Sequence, residues 1–305
     1  MTAIEGGAEG RGVLMRRAAF ASLGVSILLV AIKAFAYFAS SSVAVLAALA
    51  DSALDLFTAW LNLIAIHSAL TPADAEHRFG HGKAEPLAGL AQGAFIAGSA
   101  LFLIVQSVVR LISPQPIEHS ETALAIMIVS VIAAASLVLY QRMVVARTGS
   151  VAVSADRMHY TTDLATNLGV IVAIVLASGF GWIRADPVIA LCVAAYMVTG
   201  AVSVFRQSYD QLMDRELPDR ERARIKDIVM HHGEVRSLHD LKTRSAGTDT
   251  FIQVHIELDP AMSLMRAHQV SDEVELALCA AFPRAEVIIH QDPAGIEMPA
   301  GLAKS

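Results

Sequence analysis

The chain has 305 residues, of which 55% are hydrophobic and only 17% charged. Soluble proteins carry roughly 25% charged residues, so an ordinary soluble globule is excluded. Net charge is −6, with 16 acidic and 10 basic residues in 210–292, which argues against a nucleic-acid surface. The two cysteines, Cys192 and Cys279, give neither a disulfide framework nor a thiolate metal cluster.

Residues 1–12 are rich in Gly and Glu and are expected to form a flexible tail. Arg16-Arg17 and the apolar run to Phe38 superficially fit a signal peptide. The run exceeds the usual apolar region of ~7–15 residues, so it reads as a first membrane helix. Lys33 inside it is expected to snorkel to the outer interface. Further apolar segments follow at about 43–70, 87–112, 121–146, 152–180 and 186–208. Each reaches the ~20 residues that cross a bilayer core. Ser and Pro/Gly signals separate them, as in Ser40-Ser41-Ser42 and Ser113-Pro114-Gln115-Pro116. In the third segment, Gly89, Gly93 and Gly98 permit close helix packing, expected within one subunit rather than between two.

Basic residues orient the spans. Arg11, Arg16 and Arg17 mark the N-terminal tail, Arg78 and Lys83 the second connection, and Arg142, Arg147 and Arg157 the fourth. Such residues collect on the cytoplasmic side, so both termini are expected there.

The character changes near Tyr209. Pro218–His231 reads as an amphipathic helix and Val235–Arg244 as a strand, with a turn at Gly247. Phe251–Leu258 alternates, with Ile252, Val254, Ile256 and Leu258 on one face and Gln253, His255 and Glu257 on the other. A second helix at Met265–Phe282 and a strand at Val287–His290 complete the order αββαβ, of ferredoxin-like character. The predicted architecture is thus a six-helix transmembrane domain over 13–208, a cytoplasmic α+β domain over 209–293 and a loose tail over 294–305.

Three groups of residues carry chemistry. Asp51 and Asp55 in the second span, and His159 and Asp163 in the fifth, are two i,i+4 pairs, each on one helix face. Ionisable groups inside membrane helices are costly and point to function. Three carboxylates with one imidazole suit Zn²⁺ or another borderline first-row ion, whereas calcium or magnesium favours all-oxygen sites. Asp74, His77 and His81 offer three ligands in the second connection, although on spacing alone a solvated loop fits equally well. Glu76 and Glu85 nearby read as negative potential that attracts cations. His239, His255, His268, His290 and Asp292 lie in the cytoplasmic part. His231 and His232 end a helix, where cations suit the dipole, and read as surface residues. His67 and His119 receive no role.

Ala50-Asp51-Ser52-Ala53-Leu54-Asp55, together with His159-Tyr160-Thr161-Thr162-Asp163, resembles the cation diffusion facilitator family. The likeness continues through His77-Arg78-Phe79-Gly80-His81-Gly82-Lys83-Ala84-Glu85, Leu212-Met213-Asp214-Arg215-Glu216-Leu217-Pro218 and Ile289-His290-Gln291-Asp292-Pro293. It covers about residues 14–293 and is nearest the bacterial zinc/ferrous-iron efflux members. The resemblance implies a homodimeric metal/proton antiporter of the bacterial inner membrane, embedded in lipid. Its substrates would be protons and Zn²⁺, with Fe²⁺ or Cd²⁺ as the alternative metals. By resemblance Asp51, Asp55, His159 and Asp163 form the transport site, and Asp74, His77 and His81 a lower-affinity one. His239, His255, His268, His290 and Asp292 would form a two-metal site at the dimer interface. Lys83 and Asp214 would interlock the membrane and soluble parts. Two rival readings stand beside this one. An intramembrane hydrolase needs an open coordination position, and no His-Glu-Xaa-Xaa-His motif occurs. A metal sensor or assembly scaffold has no need of ligands deep in the membrane.

Overall fold

Six long helices precede a small α/β unit in the computed structural model, which describes residues 3–40, 43–113, 121–180, 182 and 184–295. The helices are α1 (Ala3–Ser40), α2 (Val43–Ala69), α3 (Ala84–Ile112), α4 (Glu121–Thr148), α5 (Val151–Phe180) and α6 (Ala185–Leu212). All six are long and apolar enough to span a bilayer. Only 17–28% of each span's apolar window is buried, so most of that surface faces outward to lipid. Phe35, Phe102 and Leu139 are examples of such exposed side chains.

The first span differs from expectation. The stretch read as a flexible tail supplies the opening turns of α1 from Ala3. Good helix formers such as Ala8 and Glu9 separate its glycines, and a stable helix follows directly. His119, Ser41, Ser42, Pro114 and Pro116 lie outside the described residues, as does the tail from 296.

The chain divides into two compact units, Arg11–Tyr209 and a second made of Asp210–Ser305 with Met1–Gly10. In the first, small residues set the packing. Met15, Ala18 and Ala19 of α1 meet Ile66 of α2, Val144 of α4 and Ala152 and Val153 of α5. A side chain added at Gly89 would lie 2.3 Å from the Ser208 hydroxyl, and one at Gly93 would lie 3.3 Å from Phe205. Gly89 and Gly93 therefore seat α6 of the same chain, as the sequence suggested, whereas a side chain at Gly98 would meet nothing within 4 Å. Lys33 does not snorkel: its Nζ donates to Ser52 Oγ at 2.6 Å, beside Asp51 on α2.

In the second unit, Pro218 precedes α7 (Asp219–Met230), which leads to β1 (Ser237–Ala246), β2 (Asp249–Leu258), α8 (Leu264–Ala281) and β3 (Ala285–Pro293). The sheet order is β1-β2-β3, with β1/β2 antiparallel and β2/β3 parallel. A parallel pair needs a crossover, and α8 provides it. Ile252, Val254, Ile256 and Leu258 pack on Val270, Val274 and Leu278 of α8 and on Ile225 and Val229 of α7. The expected alternation therefore holds. β1 and β2 slip register between His239 and Lys242, and Asp240 at this irregularity has φ +47°. Such bulges bend a strand and re-aim side chains.

His232 is no loose surface group. Its Nε2 lies 2.8 Å from Glu273 Oε2, which also receives help from Arg266 bound to Glu273 and Glu234. Arg266 holds the Glu234 carboxyl below the ordinary range. His232 first, then Arg266, does the same for Glu273. A carboxylate with a depressed folded pKa adds stability above its unfolded pKa of ~4.3, and that stability is lost as pH falls through the folded value. Arg266→Met should therefore speed amide hydrogen exchange in α8 of the full-length protein at pH 7. The difference from the parent should shrink steadily once pH drops below about 4.3. A difference unchanged at pH 3 would refute this account.

Candidate metal centre

Three ligand groups assemble within single units. The first lies inside the helical bundle. Asp55 projects from α2, and His159 and Asp163 from α5 one turn apart, so both α5 groups face α2. His159 Nε2 is 3.0 Å from Asp55 Oδ1 and 3.6 Å from Asp163 Oδ2. One donor atom from each of the three lies within 4.8 Å of the others, a spacing that one small cation can span. Asp51 stands outside this trio. It lines the same cavity of about 880 Å³, together with Thr58, Phe95, Phe102 and Asn167. The helical spacing was legible in sequence, but the unequal approach of the four side chains was not.

The second group is Asp74, His77 and His81. Asp74 Oδ1 accepts the backbone N–H groups of His77 at 2.7 Å and Glu76 at 2.9 Å, fixing the loop from within. The His77 N–H chiefly, with that of Glu76, holds the Asp74 carboxyl below its ordinary range. Its other oxygen is 3.4 Å from His81 Nε2, and the two imidazoles are 4.6 Å apart. Gly80, at φ +75°, makes the turn between them. These donors can converge on one ion.

Glu85, four residues on, does not face solvent. It is 1% exposed, and its Oε1 accepts the Ala152 N–H at 3.2 Å. It caps the start of α5, satisfying an orphan N–H in favourable alignment with the helix dipole. Sequence reading assigned it diffuse negative potential, because a cap supplied from a distant helix has no local signature.

The third group lies on the polar face of the sheet. His239 pairs with His255, and His255 with His290, so one imidazole stands on each strand in a row. Asp292 joins them. Its Oδ2 is 2.9 Å from His255 Nδ1 and 3.3 Å from His239 Nε2, and its Oδ1 is 3.2 Å from His290 Nε2. Asp240, brought near by the bulge, lies 3.7 Å from His255 Nε2 and was missed in the sequence. Lys242 first holds the Asp240 carboxyl low. His268 is not part of this cluster within one chain: it is exposed on α8 and 3.5 Å from Asp272. Imidazoles joined to carboxylates are the donor set of Zn²⁺, and these His/Asp clusters fit it.

Comparison with known proteins agrees with this chemistry. The family of the cation efflux transmembrane domain matches residues 19–213, and that of the cation efflux protein cytoplasmic domain matches residues 217–294. The cation-efflux pump FieF of Escherichia coli O139:H28 (strain E24377A / ETEC) is 44% identical over 285 residues, covering 93% of this chain and 95% of the relative. FieF of Escherichia coli strain K12 / DH10B matches equally. A solved chain of CzrB in its zinc form is 35% identical, covering 28% of this chain and 99% of that one, at a TM-score of 0.27. The protein is a homodimer held in lipid, with several passes through the inner membrane. The chain belongs to the cation efflux, or cation diffusion facilitator, family: it is a secondary transporter of divalent metal ions and not a catalytic enzyme.

Proposed function

We propose that this transporter exports Zn²⁺ from the cytoplasm in exchange for protons, with Fe²⁺ and Cd²⁺ as competing substrates, and that both termini are cytoplasmic. Asp51, Asp55, His159 and Asp163 form the transport site. The observation that carries this reading is the meeting of Asp55, His159 and Asp163 around a cavity within the bundle. Metal ligands must shed protons to bind, so metal and protons compete for the same atoms. That competition supplies the coupling: cytoplasmic metal displaces protons, α2 and α5 reorient, and protons from outside displace the metal. In proteoliposomes, zinc flux should therefore follow an imposed proton gradient. Zinc flux of unchanged rate without the gradient would overturn antiport.

Asp74, His77 and His81 are the second site in this reading, gathering cations at the cytoplasmic face. His239, His255, His290 and Asp292 hold the regulatory metal. His268, apart from them in its own chain, joins that site only across the dimer. Lys83 and Asp214 are proposed as the interlock between the two parts of the protein. Cytosolic metal at the sheet then tightens the dimer and favours transport. His255→Ala combined with His290→Ala should lower metal-stimulated transport several-fold while leaving transport-site affinity unchanged. Isothermal titration and flux assays on the same preparation separate the two quantities, and unchanged flux would remove the regulatory role.

A further inference from the structure

The transport-site trio accounts for one buried carboxylate on α5 too few. Asp156, one turn before His159, is 1% exposed and belongs to none of the three ligand groups. Gln141 of α4 donates from Nε2 to its Oδ2 at 2.6 Å. Ser22 of α1 and Gln92 of α3 face the same carboxylate. Several polar atoms around it are buried and lack a hydrogen bond of ordinary length: Asp156 Oδ1, Gln141 Oε1 and both amide atoms of Gln92. On α2, the face that carries Asp55 and Thr58 continues to Asn62, whose amide is also buried and unpartnered at both atoms.

Burying such atoms without a full set of partners is unfavourable. A sequence serving packing alone would fill these positions with apolar side chains. The position of the layer explains the expense. Asp156 stands less than two turns from the start of α5, and Gln141 about two turns from the end of α4. Gln92 and Asn62 stand about two turns from the ends of α3 and α2 that flank the loop of Asp74, His77 and His81. The cavity at the transport site runs from Thr58 and Ala91 to Phe102 and Asn167, and Asp156, Gln141, Gln92 and Asn62 are not among the residues that line it. Along the helix axes the polar layer therefore lies between the loop face and the transport site, packed beside the cavity rather than lining it.

We propose that Asp156, Gln141 and Gln92, with Asn62, are the collapsed inner vestibule of the transport path. In the alternate conformation water enters this layer, and the Asp156 carboxylate with the Gln141 amide oxygen forms a transient oxygen-donor waypoint for the divalent cation. Hard oxygen donors without imidazole or thiolate hold such an ion briefly and pass it on to His159. The layer as packed here between α2, α3, α4 and α5 is the closed gate of the same path. This inference rests on the transport reading above, and its test is arranged to separate the two.

The test uses the full-length protein with Cys192→Ser, Cys279→Ser and Gln92→Cys in membrane vesicles. Cationic and anionic methanethiosulfonate reagents are applied from the face that bears the Asp74 loop. The expected result is modification from that face, at least tenfold faster for the cationic reagent and slowed by saturating Zn²⁺. Adding Asp156→Asn should bring the two rates within about twofold of each other. Modification only from the opposite face, or a charge preference indifferent to Asp156→Asn, would overturn the proposal. If Gln92→Cys does not fold, Asn62→Cys serves with the same expected results. Zinc flux measured in the cysteine-substituted parent isolates the other question. Absent flux with charge-selective labelling sinks the transport reading alone, and normal flux without labelling sinks the vestibule alone.

Discussion

Asp55→Ala is expected to abolish zinc-stimulated proton movement in proteoliposomes, with a loss of at least a hundredfold in zinc affinity at the transport site. Asp55 is the one α2 carboxylate within the trio, 3.0 Å from the His159 imidazole. Removing it leaves only the two α5 members of the trio, with the more distant Asp51 as the remaining α2 carboxylate, so the tie between α2 and α5 is weakened. Changes in groups that merely support a metal ligand cost ~10–100-fold, and losing a ligand itself costs at least the upper end. Asp51→Ala should be milder in affinity yet still severe in rate, because Asp51 lines the cavity one turn from the trio. Equal affinities in the two variants would contradict the unequal roles, and persistent proton flux in Asp55→Ala would contradict the site. Proton flux followed with a pH-sensitive dye, alongside zinc titration, settles both.

His159→Asp is expected to change which ion is carried. The imidazole is the only nitrogen donor of the trio and the softest of its ligands. An all-carboxylate set favours harder ions that accept oxygen donors, such as Mn²⁺. Competitive transport should show Zn²⁺ and Cd²⁺ falling by at least tenfold relative to Mn²⁺, with Fe²⁺ between them. A variant that loses all ions equally would show that His159 shapes the site rather than selecting the metal.

The membrane helices and the sheet were legible because their signals are local. Long apolar runs cannot be soluble, and the alternation from Ile252 to Leu258 can bury only one face. The i,i+4 pairs were legible for the same reason, since helical geometry is fixed. What escaped was set by partners distant in sequence. Glu85 caps a helix 67 positions away. Lys33 turned inward because Ser52 offered an acceptor. Asp156 sat one turn from a recognised ligand, but only its contacts with α4 separate it from an ordinary helix residue. Asp240 reaches His255 through a register slip that no periodicity announces.

The row of histidines across the sheet has a further consequence. β1 and β3 are not neighbours, and β2 lies between them. An ion held by His239, His255 and Asp292 would therefore act as a reversible cross-link joining the two outer strands, enclosing the whole of β2 and α8. A covalent link across a chain segment of that length restricts the unfolded state by roughly 4 kcal/mol in the chain-entropy account. Metal scarcity would thus act on the soluble domain as reduction acts on a disulfide, lowering the stability of the whole segment from β1 to β3.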